Sequence, residues 1–131
     1  MQRELRIALP GIRIVQVIHV LKEDAIREAR EIASDVDAIL LDSGNPNLEK
    51  KELGGTGQTH DWDISKRIRE SIDVPVFLAG GLNEHNVSRA IRIVEPYGVD
   101  ICNGVRTKGD LDETKLSAFF EKVRREAIIR F

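Results

Sequence analysis

The chain has 131 residues, a formal net charge of −2 and 41% hydrophobic residues. This length is enough for one domain with its own core, and the near-neutral charge gives no general reason to expect nucleic acid or a membrane surface as a partner. The longest apolar runs are the length of strands, so none is expected to span a bilayer. The first residues lack an apolar signal core, and the single cysteine, Cys102, excludes an internal disulfide. We therefore expect a cytoplasmic protein.

Four strand-then-helix units are predicted in series, after a first segment, residues 1–8, of helical composition. The first strand is predicted at Ile12–Val20, which is rich in β-branched residues. A helix over Asp24–Ser34 follows, because its apolar residues recur on one face. The second strand is predicted at Ala38–Leu41.

A long loop separates the second strand from its helix, which Asp61 or Asp63 could cap. The third strand is predicted at Pro75–Ala79, with proline tolerated at its start. Asn83 is expected to cap the next helix, and the fourth strand is predicted at Val99–Asn103. The last helix is expected to bury an apolar stripe, formed by Leu116, Phe119, Phe120, Val123 and Ala127.

Serial strand–helix units require right-handed crossovers, and hence a parallel sheet flanked by helices. The fold class is therefore α/β, with residues 1–131 as a single domain that contains no linker. Two closures satisfy the pattern: a four-stranded open sheet, or half of a (βα)8 TIM barrel whose other half lies elsewhere.

Ligands of parallel α/β proteins bind at the carboxyl ends of the strands. Asp42 lies at such an end, where a carboxylate can act as a general acid or base; alternatively it orders the long loop. Asp100 is predicted inside the fourth strand, between Val99 and Ile101. An acid there must be paired or active, and a structural hydrogen bond is the competing interpretation.

Two glycine-bearing strand ends, Gly80-Gly81 and Asn103-Gly104, predict a phosphate site. Glycine allows close approach of the backbone, whose N–H groups then point at phosphate oxygens. In (βα)8 barrels the loops after the last two strands commonly form that site. Ordinary turn glycines are the alternative, but two such endings in successive units favour the site.

The segment Gly54-Gly55-Thr56-Gly57 lacks the Gly-Lys-Ser/Thr ending of a nucleotide-binding loop and is interpreted as a mobile lid. No metal ligand set and no cofactor are predicted, because His60 and His85 have no second ligand at a metal-like spacing. His19, at the end of the first strand, could face the site or be a core histidine. Cys102 is interpreted as a small buried hydrophobe.

Four segments together resemble the phosphoribosylanthranilate isomerase family of tryptophan biosynthesis. They stand in the order and spacing of that family's carboxyl-terminal half, strands five to eight of its barrel. The segments are Leu-Leu-Asp-Ser (40–43), Gly-Gly-Thr-Gly-Gln-Thr-His-Asp-Trp (54–62), Leu-Ala-Gly-Gly-Leu-Asn-Glu-His-Asn-Val (78–87) and Pro-Tyr-Gly-Val-Asp-Ile-Cys-Asn-Gly-Val (96–105).

The resemblance implies an Amadori rearrangement of an aminoaldose phosphate, in which a general acid protonates the furanose ring oxygen and a general base removes the C2 proton. Asp42 matches the acid, and Asp100 matches a carboxylate at the substrate. The phosphate-binding positions match Gly80, Gly81, Asn83, Asn103 and Gly104, although Asn103 replaces the family's usual serine. The related aminoaldose of histidine biosynthesis is the alternative substrate.

The family's general base is a cysteine on its first strand, in a Lys-Ile-Cys-Gly-like motif that this sequence lacks, and Cys102 matches a position on the eighth strand instead. A half barrel also leaves two strand edges and an apolar interior to be covered. We therefore expect either pairing with a missing amino-terminal half or a homo-oligomer. A non-catalytic half barrel that binds phosphorylated sugars, or that simply oligomerises, is the alternative to the isomerase.

Overall fold

A computed structural model of the chain describes residues 1–42 and 62–130. The sheet strands, in chain order, are β1 (Val15–His19), β2 (Ala38–Asp42), β3 (Val76–Leu78) and β4 (Gly98–Val99). The helices are α1 (Gln2–Ala8), α2 (Asp24–Ile32), α3 (Trp62–Ser71), α4 (Val87–Val94) and α5 (Glu113–Arg130). A short hairpin, β5 (Arg106–Thr107) and β6 (Asp110–Leu111), precedes α5. Two 3-10 helices lie at Ala33–Asp35 and Asn103–Val105.

The four sheet strands pair in chain order, β1-β2-β3-β4, and each pair is parallel. A helix follows each strand, so that each crossover places a helix against the sheet. The predicted α/β architecture, with parallel strands flanked by helices, is therefore confirmed. Because every strand runs in the same direction, all four carboxyl ends lie at one edge of the sheet.

The two faces of the sheet differ in burial. On the helix-covered face, Ile18, Leu41 and Leu78 are almost completely buried and form the centre of the core. On the opposite face, Val15 and Val17 expose 50% and 43% of their surface. Side chains alternate between the faces of a strand, so this second face is one that the described residues leave partly uncovered.

The fourth strand is shorter than predicted: β4 ends at Val99, and the predicted strand residue Asn103 lies in a 3-10 helix. The backbone gives the reason, because Tyr97 N–H donates to Val76 O while Asp100 N–H donates to Leu78 O. These two hydrogen bonds are three residues apart in this segment, from Tyr97 to Asp100, but two apart on β3, so that regular pairing extends only over Gly98 and Val99. Asp100 consequently follows the strand, exposed, and does not lie within it.

Three further predictions about burial and capping need correction. Phe120 is 52% exposed and Ala127 is also exposed, so that the apolar stripe of α5 is narrower than its sequence indicates. Cys102 is exposed, because the chain leaves the sheet after Val99. Asn83 precedes α4 by four residues, and its side chain bonds to the intervening turn.

The start of α3 at Trp62 places the predicted cap Asp63 inside the first helical turn, whereas Asp61 lies outside the described residues. None of the helices in the described part of the chain combines the length and hydropathy needed to cross a membrane.

Candidate functional site

Strand pairing brings the predicted site residues to one edge of the sheet. Asp42 ends β2 and is half-buried, and its carbonyl accepts a hydrogen bond from Val20 N–H at 2.9 Å. One strand over, Ala79 N–H donates to Leu41 O at 2.7 Å, immediately before Gly80. Since adjacent strands lie about 4.8 Å apart, the Asp42 backbone is one strand spacing from the loop that follows β3.

The register also places His19 directly beside Asp42, as the last pair of the β1–β2 ladder. Paired residues of a parallel ladder project to the same face of the sheet. The preceding pair, Ile18 and Leu41, is almost completely buried among the helices. His19 and Asp42 therefore share the opposite face, the one on which Val17 is exposed.

The loop after β3 contains two successive glycines in the left-handed region of backbone conformation. Gly80 has a φ of +87° and Gly81 a φ of +67°. Both values lie in the left-handed region, which costs other residues roughly 1–2 kcal/mol. Successive backbone N–H groups of a turn can form a concavity that binds anions, which is the role predicted for this loop.

Gly104 brings the segment after β4 against the segment after β3. A Cβ at Gly104 would overlap Leu82 O and would lie 3.0 Å from Asn83 Cα. The two backbones are therefore in direct contact, and only a residue without a side chain allows this approach. The two predicted phosphate segments meet, with Asn103 exposed beside the contact.

Two asparagines hold the turn between Gly81 and α4. Asn83 Oδ1 accepts from the His85 and Asn86 N–H groups at 2.8 and 3.1 Å. In return Asn86 Oδ1 accepts from Asn83 N–H at 2.8 Å, and Asn86 Nδ2 donates to Gly81 O at 2.9 Å. Asn86 was missed by the sequence analysis, although its place three residues after Asn83 has the spacing of a capping box, in which a side chain and a backbone N–H bond reciprocally.

The other predicted site residues lie farther from Asp42 or outside the described part of the chain. Asp100 lies two strands from Asp42, exposed at the end of β4. The predicted lid, Gly54-Gly55-Thr56-Gly57, lies outside the described residues. Within residues 1–42 and 62–130, no three His, Cys, Asp or Glu side chains group together as a metal site.

The comparisons with known proteins agree in pointing to one family. The family model described as N-(5'phosphoribosyl)anthranilate (PRA) isomerase matches residues 2–122. The N-(5'-phosphoribosyl)anthranilate isomerase of Methanosarcina acetivorans is 42% identical over 120 residues, which are 90% of this chain and 49% of the relative. The chain thus spans about half the length of the curated relatives it matches.

Solved structures give the same result. The phosphoribosyl anthranilate isomerase of Thermococcus kodakaraensis superposes with a TM-score of 0.71 at 32% identity, covering 93% of this chain and 56% of that protein. The dimeric phosphoribosylanthranilate isomerase of Thermotoga maritima, solved as monomers, superposes with a TM-score of 0.74 at 25% identity, covering 95% and 56%. A match of the family model to nearly the whole chain, together with these likenesses, shows that the chain belongs to the N-(5'-phosphoribosyl)anthranilate isomerase family.

Proposed function

We propose that this chain carries the general acid and the phosphate-binding loops of an N-(5'-phosphoribosyl)anthranilate isomerase. Residues 1–131 would form one half-barrel domain, equivalent to strands five to eight of a (βα)8 barrel. The barrel would be completed by four further strands and the three helices that connect them, which would supply the general base, because α1 of this chain would follow the fourth of those strands. The substrate would be a small phosphoribosyl compound in which an amine is attached to C1 of the sugar.

In the proposed reaction, the phosphate group is held by backbone N–H groups of the Gly80-Gly81 turn and of the segment around Gly104. The Asp42 carboxyl group then gives its proton to the furanose ring oxygen while the bond between that oxygen and C1 breaks. Loss of the C2 proton to the base on the other half completes the conversion of aldose to ketose. A positioned acid or base of this kind contributes typically ~10²–10⁴-fold to the rate.

The observation that carries the proposal is the contact of Gly104 with the backbone of Leu82 and Asn83. This contact joins the two glycine-bearing loops into one surface, one strand spacing from Asp42. A phosphate bound there would fix the sugar with its ring directed along the strand ends, within reach of the carboxyl group. Glycines that only permit the chain to turn do not require two loops to approach each other so closely.

The uncovered face of the sheet supports a role for this domain as part of a larger barrel. Val15 and Val17 are exposed on the face that becomes the barrel interior, and β1 and β4 have no outer neighbour in the described chain. Apolar faces and open strand edges of this kind are usually covered by further strands.

An amino-terminal half fits these edges better than a second copy of the chain does. The described residues form four sheet strands and five α-helices, because α1 precedes β1 and α5 follows β4. Ion pairs of Arg3 with Asp35 and of Arg6 with Asp37 hold α1 next to the segment that precedes β2. The described residues of two copies would therefore bring ten α-helices to a ring of eight strands, and α1 of one copy would compete with α5 of the other.

The direct test supplies the missing half. We would co-express the chain with the first four strands of the Methanosarcina acetivorans relative and the three helices between them, and measure isomerisation of the anthranilate substrate by the purified complex. Activity that is lost in the Asp42→Asn variant, with inorganic phosphate still bound, would support the proposal. Asp73→Asn, an aspartate near the opposite end of the sheet, is the matched control and should retain activity. A folded complex without activity would contradict the proposal.

The alternative function is a half barrel that binds phosphorylated sugars without catalysis, and the exposed Val15 and Val17 also suit self-association. Light scattering coupled to size exclusion distinguishes the two. A defined dimer of the purified chain that binds phosphate would favour the alternative, and a monomer that assembles when the other half is added would favour the isomerase. We expect a cytoplasmic location, with neither nucleic acid nor membrane as a partner.

A further inference from the structure

We propose that Asp112 is a positioning residue for the phosphate site: its carboxylate links the β5–β6 hairpin to the first turn of α5, and this link holds the Gly104 segment, residues 103–105, against the loop after β3. The inference deepens the proposed function and rests on it for the role of Gly104. Its structural part can be tested without any isomerase activity.

The Gly104 segment is held from two sides. On one side its backbone contacts that of Leu82 and Asn83, since a Cβ at Gly104 would overlap Leu82 O. On the other side the carbonyl of Val105, a residue that is 4% exposed, accepts a hydrogen bond from Asp112 N–H at 2.8 Å. The position of Asp112 therefore helps to set how closely the segment approaches the loop after β3.

The side chain of Asp112 fixes its own backbone at this point. Its Oδ2 accepts from Thr107 Oγ1 at 2.6 Å, and its Oδ1 accepts from the Thr114 and Lys115 N–H groups at 3.0 and 3.1 Å. Thr107 belongs to β5, which follows the Gly104 segment directly, whereas Thr114 and Lys115 lie in the first turn of α5. One carboxylate thus joins the chain that leaves the phosphate site to the helix that comes after it.

Hydrogen bonds, rather than apolar packing, position the β5–β6 hairpin. Its four strand residues are exposed, and Leu111 among them exposes 55% of its surface. Besides the bonds of Asp112, Lys115 Nζ donates to Arg106 O at 3.1 Å. A segment with few buried apolar contacts opens at a low cost in free energy, so loss of the Asp112 carboxylate should let the hairpin move relative to α5.

Helix α5 provides a fixed support for this link. Phe119, on α5, is 4% exposed and belongs to the hydrophobic core. Glu126, farther along α5, is 2% exposed, and its two carboxylate oxygens accept from Arg92 of α4 at 3.0 and 2.7 Å. Because α4 follows the loop after β3, the link through Asp112 and α5 connects the two loops of the proposed site by a second route, separate from the Gly104 contact.

A phosphate that is held by backbone N–H groups is sensitive to this link, because those groups must stay aligned on the anion. When Asp112→Ala removes the link, the Gly104 segment samples further positions, and the apparent Kd rises as the population of the aligned position falls. Asp112→Asn should restore most of the affinity. Its amide oxygen can still accept from the two N–H groups of α5, and its NH₂ group can donate to Thr107 Oγ1.

The binding test is an NMR titration of the chain and its variants with inorganic phosphate at neutral pH. Asp112→Ala should raise the Kd about two- to thirtyfold, as expected for the loss of a capping side chain, and Asp112→Asn should lie closer to the wild type. The controls are Asp110→Ala, in the same hairpin, and Ala29→Gly, which destabilises the distant helix α2; both should leave the Kd unchanged. A wild-type Kd in Asp112→Ala, or a Kd raised equally by Ala29→Gly, would overturn the inference.

The positioning is tested directly by NMR relaxation dispersion, which detects exchange between conformations on the microsecond-to-millisecond timescale. Asp112→Ala should produce exchange at the Gly104 and Val105 amides that the wild type lacks. The Ala79 amide, which donates to Leu41 O in the sheet, should show none in either protein, and Ala29→Gly should leave all three amides unchanged. Identical dispersion of the Gly104 segment in Asp112→Ala and the wild type would contradict the proposed link.

The two proposals fail in different ways. A wild-type chain that binds no phosphate, alone or with the amino-terminal half, would refute the proposed function, while relaxation dispersion would still decide whether Asp112 holds the Gly104 segment. In an active complex Asp112→Ala should raise KM with kcat nearly unchanged, because it weakens the binding of a group that does not react. An unchanged KM in that complex would refute the role of Asp112 and leave the proposed function standing.

Discussion

Asn83 and Asn86 bind each other reciprocally, each side-chain oxygen accepting a hydrogen bond from the other residue's backbone N–H, at 3.1 and 2.8 Å. Asn86 extends this arrangement to Gly81, whose carbonyl accepts from Asn86 Nδ2 at 2.9 Å. The turn that presents the candidate phosphate site is therefore stabilised by an amide side chain that itself lies outside the glycine loop.

We expect Asn86→Ala to release this turn and to weaken phosphate binding. Loss of a capping side chain costs about 0.5–2 kcal/mol, and a comparable loss in binding would raise the Kd for phosphate by about two- to thirtyfold. Titration of the labelled chain with inorganic phosphate, followed by NMR, measures the Kd. His85→Ala is the matched control, because the His85 side chain is exposed and makes no bond to the loop. Equal Kd values for the two variants would contradict the prediction.

Gly104→Ala should be strongly destabilising, because the new Cβ overlaps the carbonyl oxygen of Leu82 and the backbone there cannot rotate away. Overpacking of this kind costs about 1–3 kcal/mol. Gly98→Ala provides the comparison, since its Cβ would lie 2.8 Å from the Phe77 ring, a side chain that can turn. We expect urea unfolding to rank Gly104→Ala as the less stable variant, and the reverse order would show that the two loops separate easily.

The architecture could be predicted from the sequence because the residues within each strand–helix unit are enough to identify that unit. A strand is recognised from an alternating or β-branched run, such as residues 12–20, and a helix from an apolar stripe, such as that of α4. Both patterns involve only residues a few positions apart. The approach of the segment around Gly104 to the segment after β3 was also predictable in outline, since parallel strands must end at one edge.

The details of β4 were not predictable in the same way. Val99, Ile101 and Cys102 have the composition of a strand, and the strand ends early because its backbone hydrogen bonds to β3 lose the regular two-residue spacing after Val99. Phe120 likewise fits a helical stripe, but burial depends on what lies opposite α5, and the described chain leaves this ring 52% exposed. Both errors have the same cause: the length of β4 and the burial of Phe120 depend on contacts with residues that are distant in sequence. A local sequence pattern carries no information about such contacts.

Ser65→Ala is expected to stabilise the protein. The Ser65 side chain is completely buried in α3, and its hydroxyl has no hydrogen-bond partner in the part of the chain that the structure describes. Burying an unpaired hydroxyl costs about 1–3 kcal/mol by mutational measurements, and alanine is also the better helix former. We expect the free energy of unfolding to rise by about 1 kcal/mol.

Ser71→Ala is the control for this substitution, because Ser71 Oγ donates to Ile68 O at 3.0 Å at the end of the same helix. Its removal should leave stability unchanged or slightly lower. Urea unfolding of the two variants measures both changes. A Ser65→Ala chain that is less stable than the wild type would show that the buried hydroxyl makes a stabilising hydrogen bond.

Asp112 links the β5–β6 hairpin to the start of α5 through hydrogen bonds that depend on the charge of its carboxylate. Its Oδ2 accepts from Thr107 Oγ1 at 2.6 Å, and its Oδ1 accepts from the Thr114 and Lys115 N–H groups at 3.0 and 3.1 Å. The hydrogen bond from Thr107, followed by that from the Lys115 backbone, holds the pKa of Asp112 below the ordinary aspartate value of 3.8.

A carboxylate whose pKa is lower in the folded state stabilises that state fully above its unfolded value and loses the contribution as the pH falls through the folded value. Asp112→Ala should therefore be less stable than the wild type at pH 7, by an amount that stays constant down to about pH 4 and shrinks below it. Urea midpoints measured for both proteins across this range provide the test. Asp110→Ala, in the same hairpin, should show a much smaller deficit at pH 7. A deficit of Asp112→Ala that persists undiminished in acid would mean that the side chain acts through packing and not through its charge.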